Sequence, residues 1–176
     1  MVESGQETRA SGVRVVLDGR GEANVATGLA VLDHLLGLLA QNASFDLALE
    51  VAPGGADEEV AAAGSALGSA LHELLRAPGA RGFASAVMPS DEALAHVALE
   101  ASGRPLVRSN VDLSAERVGG LRSDLVADFL RQLAEGAALT MHVRLIDGKD
   151  TQHVLEAIFK ALGVALAQAA RPRVKA

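Results

Sequence analysis

A chain of 176 residues, 49% hydrophobic and 22% charged, is long enough for one compact domain, or for two small halves that share a core. With four Phe and no Trp or Tyr it has no stacking platform for bases, and a formal charge of -6 argues against a polyanion as partner, so nucleic acid is not expected. The absence of cysteine excludes disulfides, thiolate metal sites and a Cys nucleophile, and leaves five histidines and the carboxylates to carry any metal or acid–base chemistry.

In chain order, GVRVVLD (12–18) and the polar arm at 20–26, joined through Asp18-Gly19, predict a hairpin of two strands. Leu29, Leu32, Leu35, Leu36 and Leu39 then recur at helical spacing, which predicts a helix over about 27–41 with Thr27 as its N-cap. Phe45, Leu47, Leu49 and Val51 alternate with Ser44, Asp46, Ala48 and Glu50, the period of a strand with one buried face, and Pro53-Gly54-Gly55 stops it. The Ala-rich stretch 57–76, acidic in its first turn and ending on Arg76, has the charge polarity of a helix. ASAVM (84–88), LAHVALEAS (94–102) and PLVRSNVDL (105–113) read as strands.

From Ser123 the first pattern returns. LLAQNASFDLALEV (38–51) falls on QLAEGAALTMHVRL (132–145), and after one inserted residue VAAAGSALGSAL (60–71) falls on LEAIFKALGVAL (155–166). The expected fold is therefore an α+β sandwich: a single domain of two duplicated halves, about 10–80 and 81–170, each a small sheet backed by two helices, with the four helices packed together. The opening MVESGQETRA lacks a basic flank and an apolar core, and no apolar run reaches the roughly 18 residues of a membrane span. No membrane partner and a cytoplasmic location are expected.

Three histidines stand out. His142 lies on the 139–145 strand opposite the apolar face of Leu139, Met141, Val143 and Leu145. His153 and Glu156 share one face at the start of the last helix, a spacing at which an imidazole and a carboxylate can hold one metal or one proton. His34 follows Asp33 on an otherwise apolar helix face. His72 and His96 have no carboxylate at useful spacing and read as structural.

TGLAVLDHLLGLLAQ (27–41), PSDEALAHVALEASGRP (89–105) and LTMHVRLIDGKDTQHVLEAIFKAL (139–162), within the duplicated layout, resemble the imidazoleglycerol-phosphate dehydratases of histidine biosynthesis. The resemblance implies an enzyme that eliminates water from a phosphorylated imidazole substrate gripped by two manganese ions. It also implies a homo-oligomer, a large symmetric shell with active sites between chains. Of the family's eight ligand positions, His34, His142, His153 and Glu156 keep a ligand, whereas Asp57, Glu58, Ala61 and Gln152 stand at the other four. The same resemblance makes Arg81, Arg104 and Lys160 phosphate-binding residues, and sets Glu7 beside Glu156 as catalytic candidates. Because the family's chemistry needs both metals, two readings stay open here. One is a divergent dehydratase with an impaired metal centre. The other is a non-catalytic paralogue that acts as a scaffold or co-assembling subunit, or as a weak binder of phosphorylated ligands.

Overall fold

The structure, a computed structural model, describes residues 12–113 and 117–172. Two small mixed sheets enclose a layer of four helices. The first sheet contains β1 (Gly12–Val16), β2 (Ala23–Ala26) and β3 (Asp46–Val51), with α1 (Ala30–Ala43) between β2 and β3 and α2 (Ala56–Leu75) after β3. The second contains β4 (Phe83–Ser90), β5 (Ala93–Glu100), β6 (Leu106–Ser109) and β9 (Thr140–Asp147). A short ribbon of β7 (Arg117–Val118) and β8 (Leu121–Arg122) precedes α3 (Asp124–Ala137), and α4 (Thr151–Ala170) follows β9.

β1 and β2 do not form the expected hairpin. The order is β1-β3-β2: β1 runs antiparallel to β3, with Gly12 opposite Glu50, and β2 runs parallel to it, with Ala23 opposite Leu47. The turn at Asp18-Gly19 is used instead to wrap the chain around the start of β3. Gly19 N donates to Ser44 O, and Asp46 Oδ1 accepts from Arg20 N at 2.8 Å and Glu22 N at 3.2 Å. Those backbone donors hold the Asp46 carboxyl below its usual range. Thr27 is not the helix N-cap either, since α1 begins at Ala30 with Leu29 in the capping position. Thr27 is buried and its Oγ1 donates to Asp33 Oδ1 at 2.5 Å, while the same carboxylate oxygen accepts from Thr27 N at 3.0 Å. A first-turn carboxylate thus reaches back to organise the entry to the helix.

The duplication is visible in the element bounds. α1 and α3 lie 94 residues apart at both ends, and α2 and α4 lie 95 apart. Each of α1 and α3 ends on a left-handed residue, Ser44 (φ 57°) and Ala138 (φ 52°). β2 and β6 run parallel to β3 and β9, while β1 and β5 run antiparallel to them. Helix packing repeats as well: α2 lies on α3 and α1 on α4, with Gly68 against the Leu133 carbonyl and Gly163 against the Leu39 carbonyl. The second half adds β4 and the β7–β8 ribbon.

Leu, Ala and the three buried Phe side chains 45, 129 and 159 fill the space between helices and sheets. α4 has the length and mean hydropathy, 1.3 over 18 residues, of a membrane span, yet 72% of that window is buried inside the protein. It is a core helix lying on β4 and β5, apolar because it is surrounded.

Candidate functional site

The packing of α1 on α4 brings His34 and Glu156 together. His34 Nε2 lies 2.8 Å from Glu156 Oε2, and Ser90, buried at the end of β4, donates its hydroxyl to Glu156 Oε1 at 2.9 Å. Burial pushes the Glu156 carboxyl up, but hydrogen bonds from His34, Ser90 and Gln152 outweigh it and hold the group below its ordinary value. A cavity of about 290 Å³ opens beside this cluster, lined by Ala30, Val31, His34, Leu35, Val118, Gly119, Gln152 and Leu155. Its walls are apolar apart from the His34 imidazole and the Gln152 amide.

His153 sits one turn away in a separate network. Its Nδ1 is 2.5 Å from Glu92 Oε1, and its Nε2 is 3.3 Å from Asp91 Oδ2. Its backbone N–H donates to Asp150 Oδ1, the N-cap of α4. The hydrogen bond from His153, with backbone donors from Asp150 and Lys149, lowers the Glu92 carboxyl to about 2. Glu92 in turn raises His153 against the smaller effect of burial.

The remaining expected site residues lie elsewhere in the chain. His142 is exposed on the outer face of the second sheet, paired with Ala98 on β5 and Arg108 on β6. Arg81 lies over the Phe83 ring at 4.6 Å, at the start of β4. Arg104 follows β5 at the same end of the sheet, where its carbonyl accepts from Thr140 Oγ1 at 3.0 Å. Lys160 donates to Pro89 O at 3.2 Å, at the other end of β4. Six residues of extended strand separate Phe83 from Pro89, about 20 Å at ~3.3 Å per residue. One chain therefore does not bring Arg81 and Arg104 to Lys160, nor His142 to His34. Glu7 lies outside the described residues.

Spacing in the sequence did not point to Ser90 or Glu92. Ser90 is 66 residues from Glu156, and Glu92 is 61 from His153; the available signal was an Asp-Glu pair at a turn between two strands.

Equivalent positions of the two halves carry different groups: Asp57, Glu58 and Ala61 answer to Gln152, His153 and Glu156. Asp57 and Glu58 are exposed on the first turn of α2, Ala61 follows them, and the counterpart of His34 is Asp128, which pairs with Arg131 at 2.8 Å. Arg122 binds Asp124 through two hydrogen bonds of 3.1 and 2.7 Å. Among the described residues no three His, Asp or Glu side chains are grouped so as to hold a metal ion. Within one chain the surviving ligand positions thus form two separate contacts, His34 with Glu156 and His153 with Glu92.

The sequence model of imidazoleglycerol-phosphate dehydratase matches residues 27–166. The chain is 41% identical over 173 residues to the imidazoleglycerol-phosphate dehydratase of Desulforudis audaxviator, covering 94% of this chain and 88% of that one. It is 42% identical over 162 residues to that of Syntrophobacter fumaroxidans, covering 89% and 82%. The crystal structure of the Staphylococcus aureus dehydratase superposes with a TM-score of 0.84 at 32% identity, over 93% of this chain and 94% of that one. The His34–Glu156 contact sits within the residues that the family's model matches, and the chain belongs to the imidazoleglycerol-phosphate dehydratase family.

Proposed function

We propose that the chain binds imidazoleglycerol phosphate and eliminates water from it, as its relatives are named for doing, but at least roughly 10²-fold more slowly, because four ligand positions are replaced. The observation that carries this reading is the cluster of His34 and Glu156, on two packed helices, with Ser90 from the end of β4. Glu156 stays ionised and orients the His34 ring, and His34 is the group able to hold or release a proton beside the cavity. Lys160, one turn beyond Glu156 on α4, is the cation proposed to meet the phosphate.

The reading requires other copies of the chain. Arg81 and Arg104 lie at the opposite end of β4 from Lys160, and His142 is exposed on the outer face of the second sheet, so one chain does not gather them into one site. The large hydrophobics left exposed among the described residues, Phe83, Val87, Leu106 and Ile146, all belong to the second sheet. Their exposure supports a contact between copies, with sites completed across it in a closed, symmetric homo-oligomer. The site is proposed to take no more than one manganese ion per chain and to work in the cytoplasm.

The test is turnover of imidazoleglycerol phosphate by the purified protein, with and without manganese, beside the Staphylococcus aureus enzyme, together with elemental analysis. Slow turnover with one ion per chain supports the reading. Two ions per chain and a full rate overturn the argument from ligand loss. No turnover above the metal-free control overturns the catalytic reading and leaves a non-catalytic subunit. Co-purification with an intact dehydratase then tests co-assembly.

A further inference from the structure

Glu92 lies in the tight turn between β4 and β5, next to Asp91, whose backbone is left-handed (φ 50°). Its side chain is fully engaged. Oε2 accepts from the backbone N–H groups of Lys149 and Asp150, both at 3.1 Å, and Oε1 meets His153 Nδ1 at 2.5 Å. The carboxylate therefore closes the loop between β9 and α4 and grips the imidazole that this loop delivers. Asp150 completes the frame by capping α4 on the His153 N–H at 3.1 Å.

A carboxylate only accepts hydrogen bonds, so the nitrogen facing it must carry a proton. Three carboxylates face the ring; Asp150 is the most distant, 3.9 Å from Nδ1, and the other two compete. Glu92 is nearer to Nδ1, at 2.5 Å with 44% of its side chain exposed, than Asp91 is to Nε2, at 3.3 Å and 72% exposed. When the ring is neutral, its one proton stays on Nδ1, and the free electron pair is on Nε2. A free histidine in water prefers the opposite arrangement, with the proton on Nε2. The hydrogen bond made by one ring nitrogen decides what the other can offer.

We infer that Glu92 is a positioning residue for the site: it fixes the rotation and tautomer of His153, so that Nε2 is the atom His153 presents to substrate or to a cation. The inference rests on the reading of His153 as part of the site proposed above. Its function is indirect, because both Glu92 oxygens are engaged by the loop and the ring.

The experiment is side-chain ¹⁵N NMR of histidine-labelled protein, on the alkaline side where His153 is neutral, for wild type, Glu92→Ala and Glu92→Gln, with turnover measured on the same samples. In the wild type the Nδ1–H form is expected to dominate. Glu92→Ala should move His153 toward the Nε2–H form and lower kcat by roughly 10–100-fold with little change in KM. Glu92→Gln, whose amide oxygen can still accept from Nδ1, should restore part of both. A wild-type ring in the Nε2–H form overturns the inference, as does an Ala variant with unchanged tautomer. A shifted tautomer with undiminished kcat also overturns it and leaves Glu92 as a loop clamp. Were the wild type to show no turnover, the dehydratase reading would fail separately, and the tautomer alone would decide this one. Matching thermal unfolding of the Gln variant and the wild type at the alkaline pH of the NMR, above the window in which the ionised pair stabilises most, separates the effect from a loosened loop.

Discussion

Gly163 tests whether the helix layer is as tightly specified as the repeated contacts imply. It lies where α4 crosses α1, and a methyl group added there would run into the backbone carbonyl of Leu39. Alanine is a better helix former than glycine by about 1 kcal/mol, so propensity alone predicts that Gly163→Ala stabilises. The steric term has the opposite sign. Forcing an extra carbon into a packed core costs about 1–3 kcal/mol, and the upper end applies here because the obstructing atom is backbone and no side-chain rotation can move it aside. Net destabilisation of about 1–2 kcal/mol follows, or about 2–8 °C in Tm at ~2–4 °C per kcal/mol for a chain of this size. Gly37 supplies the control: it sits within α1, and a Cβ there would meet nothing within 4 Å. Gly37→Ala should therefore raise stability by up to about 1 kcal/mol. Both variants are to be unfolded at one protein concentration, since association shifts apparent stability. A Gly163→Ala protein as stable as the wild type, or a Gly37→Ala protein less stable than it, would refute the packing argument.

Two further predictions concern charge. Removing the His34 imidazole (His34→Ala) or the Ser90 hydroxyl (Ser90→Ala) leaves burial to dominate at Glu156, so its carboxyl pKa should rise in either variant; side-chain ¹³C NMR titration checks it, and an unmoved or lowered value sinks the account. The Glu92–His153 clasp sets a pH window for stability. Glu92 is depressed from 4.5 to about 2, so its contribution is present above about 4.5 and disappears as pH falls toward 2. His153 is raised from 6.5, so its contribution is complete below 6.5 and disappears as pH rises through the raised value. The clasp should stabilise most between about pH 4.5 and 6.5, and a Glu92→Gln series of melting temperatures should lose that excess.

Much of the fold was legible in the residues because its signals are local. The leucines of α1, the alternation of β3 and the acidic start of α2 each declare their element within a dozen residues. The duplication was legible as well, since the two aligned stretches carry the same periods in the same order. The outward position of His142 followed from strand alternation alone. Pairing was a different matter. The Asp18-Gly19 turn looks like a hairpin turn from either side, and only the insertion of β3 between β1 and β2, secured by Asp46, decides against it. Thr27 has the chemistry of a cap, but the carboxylate of Asp33 recruited it for another task.

The sequence by itself determined the helices and the main strands, that their core pattern occurs twice, and that imidazole is scarce in this chain. Tertiary structure decided what the imidazoles touch. His34 and Glu156 are 122 positions apart and meet only because α1 crosses α4, and His153 is held by Glu92 from a turn 61 residues earlier. Periodicity reports which face of an element is buried. It does not report which element covers that face, because the choice depends on the packing of the whole core rather than on any stretch of neighbours.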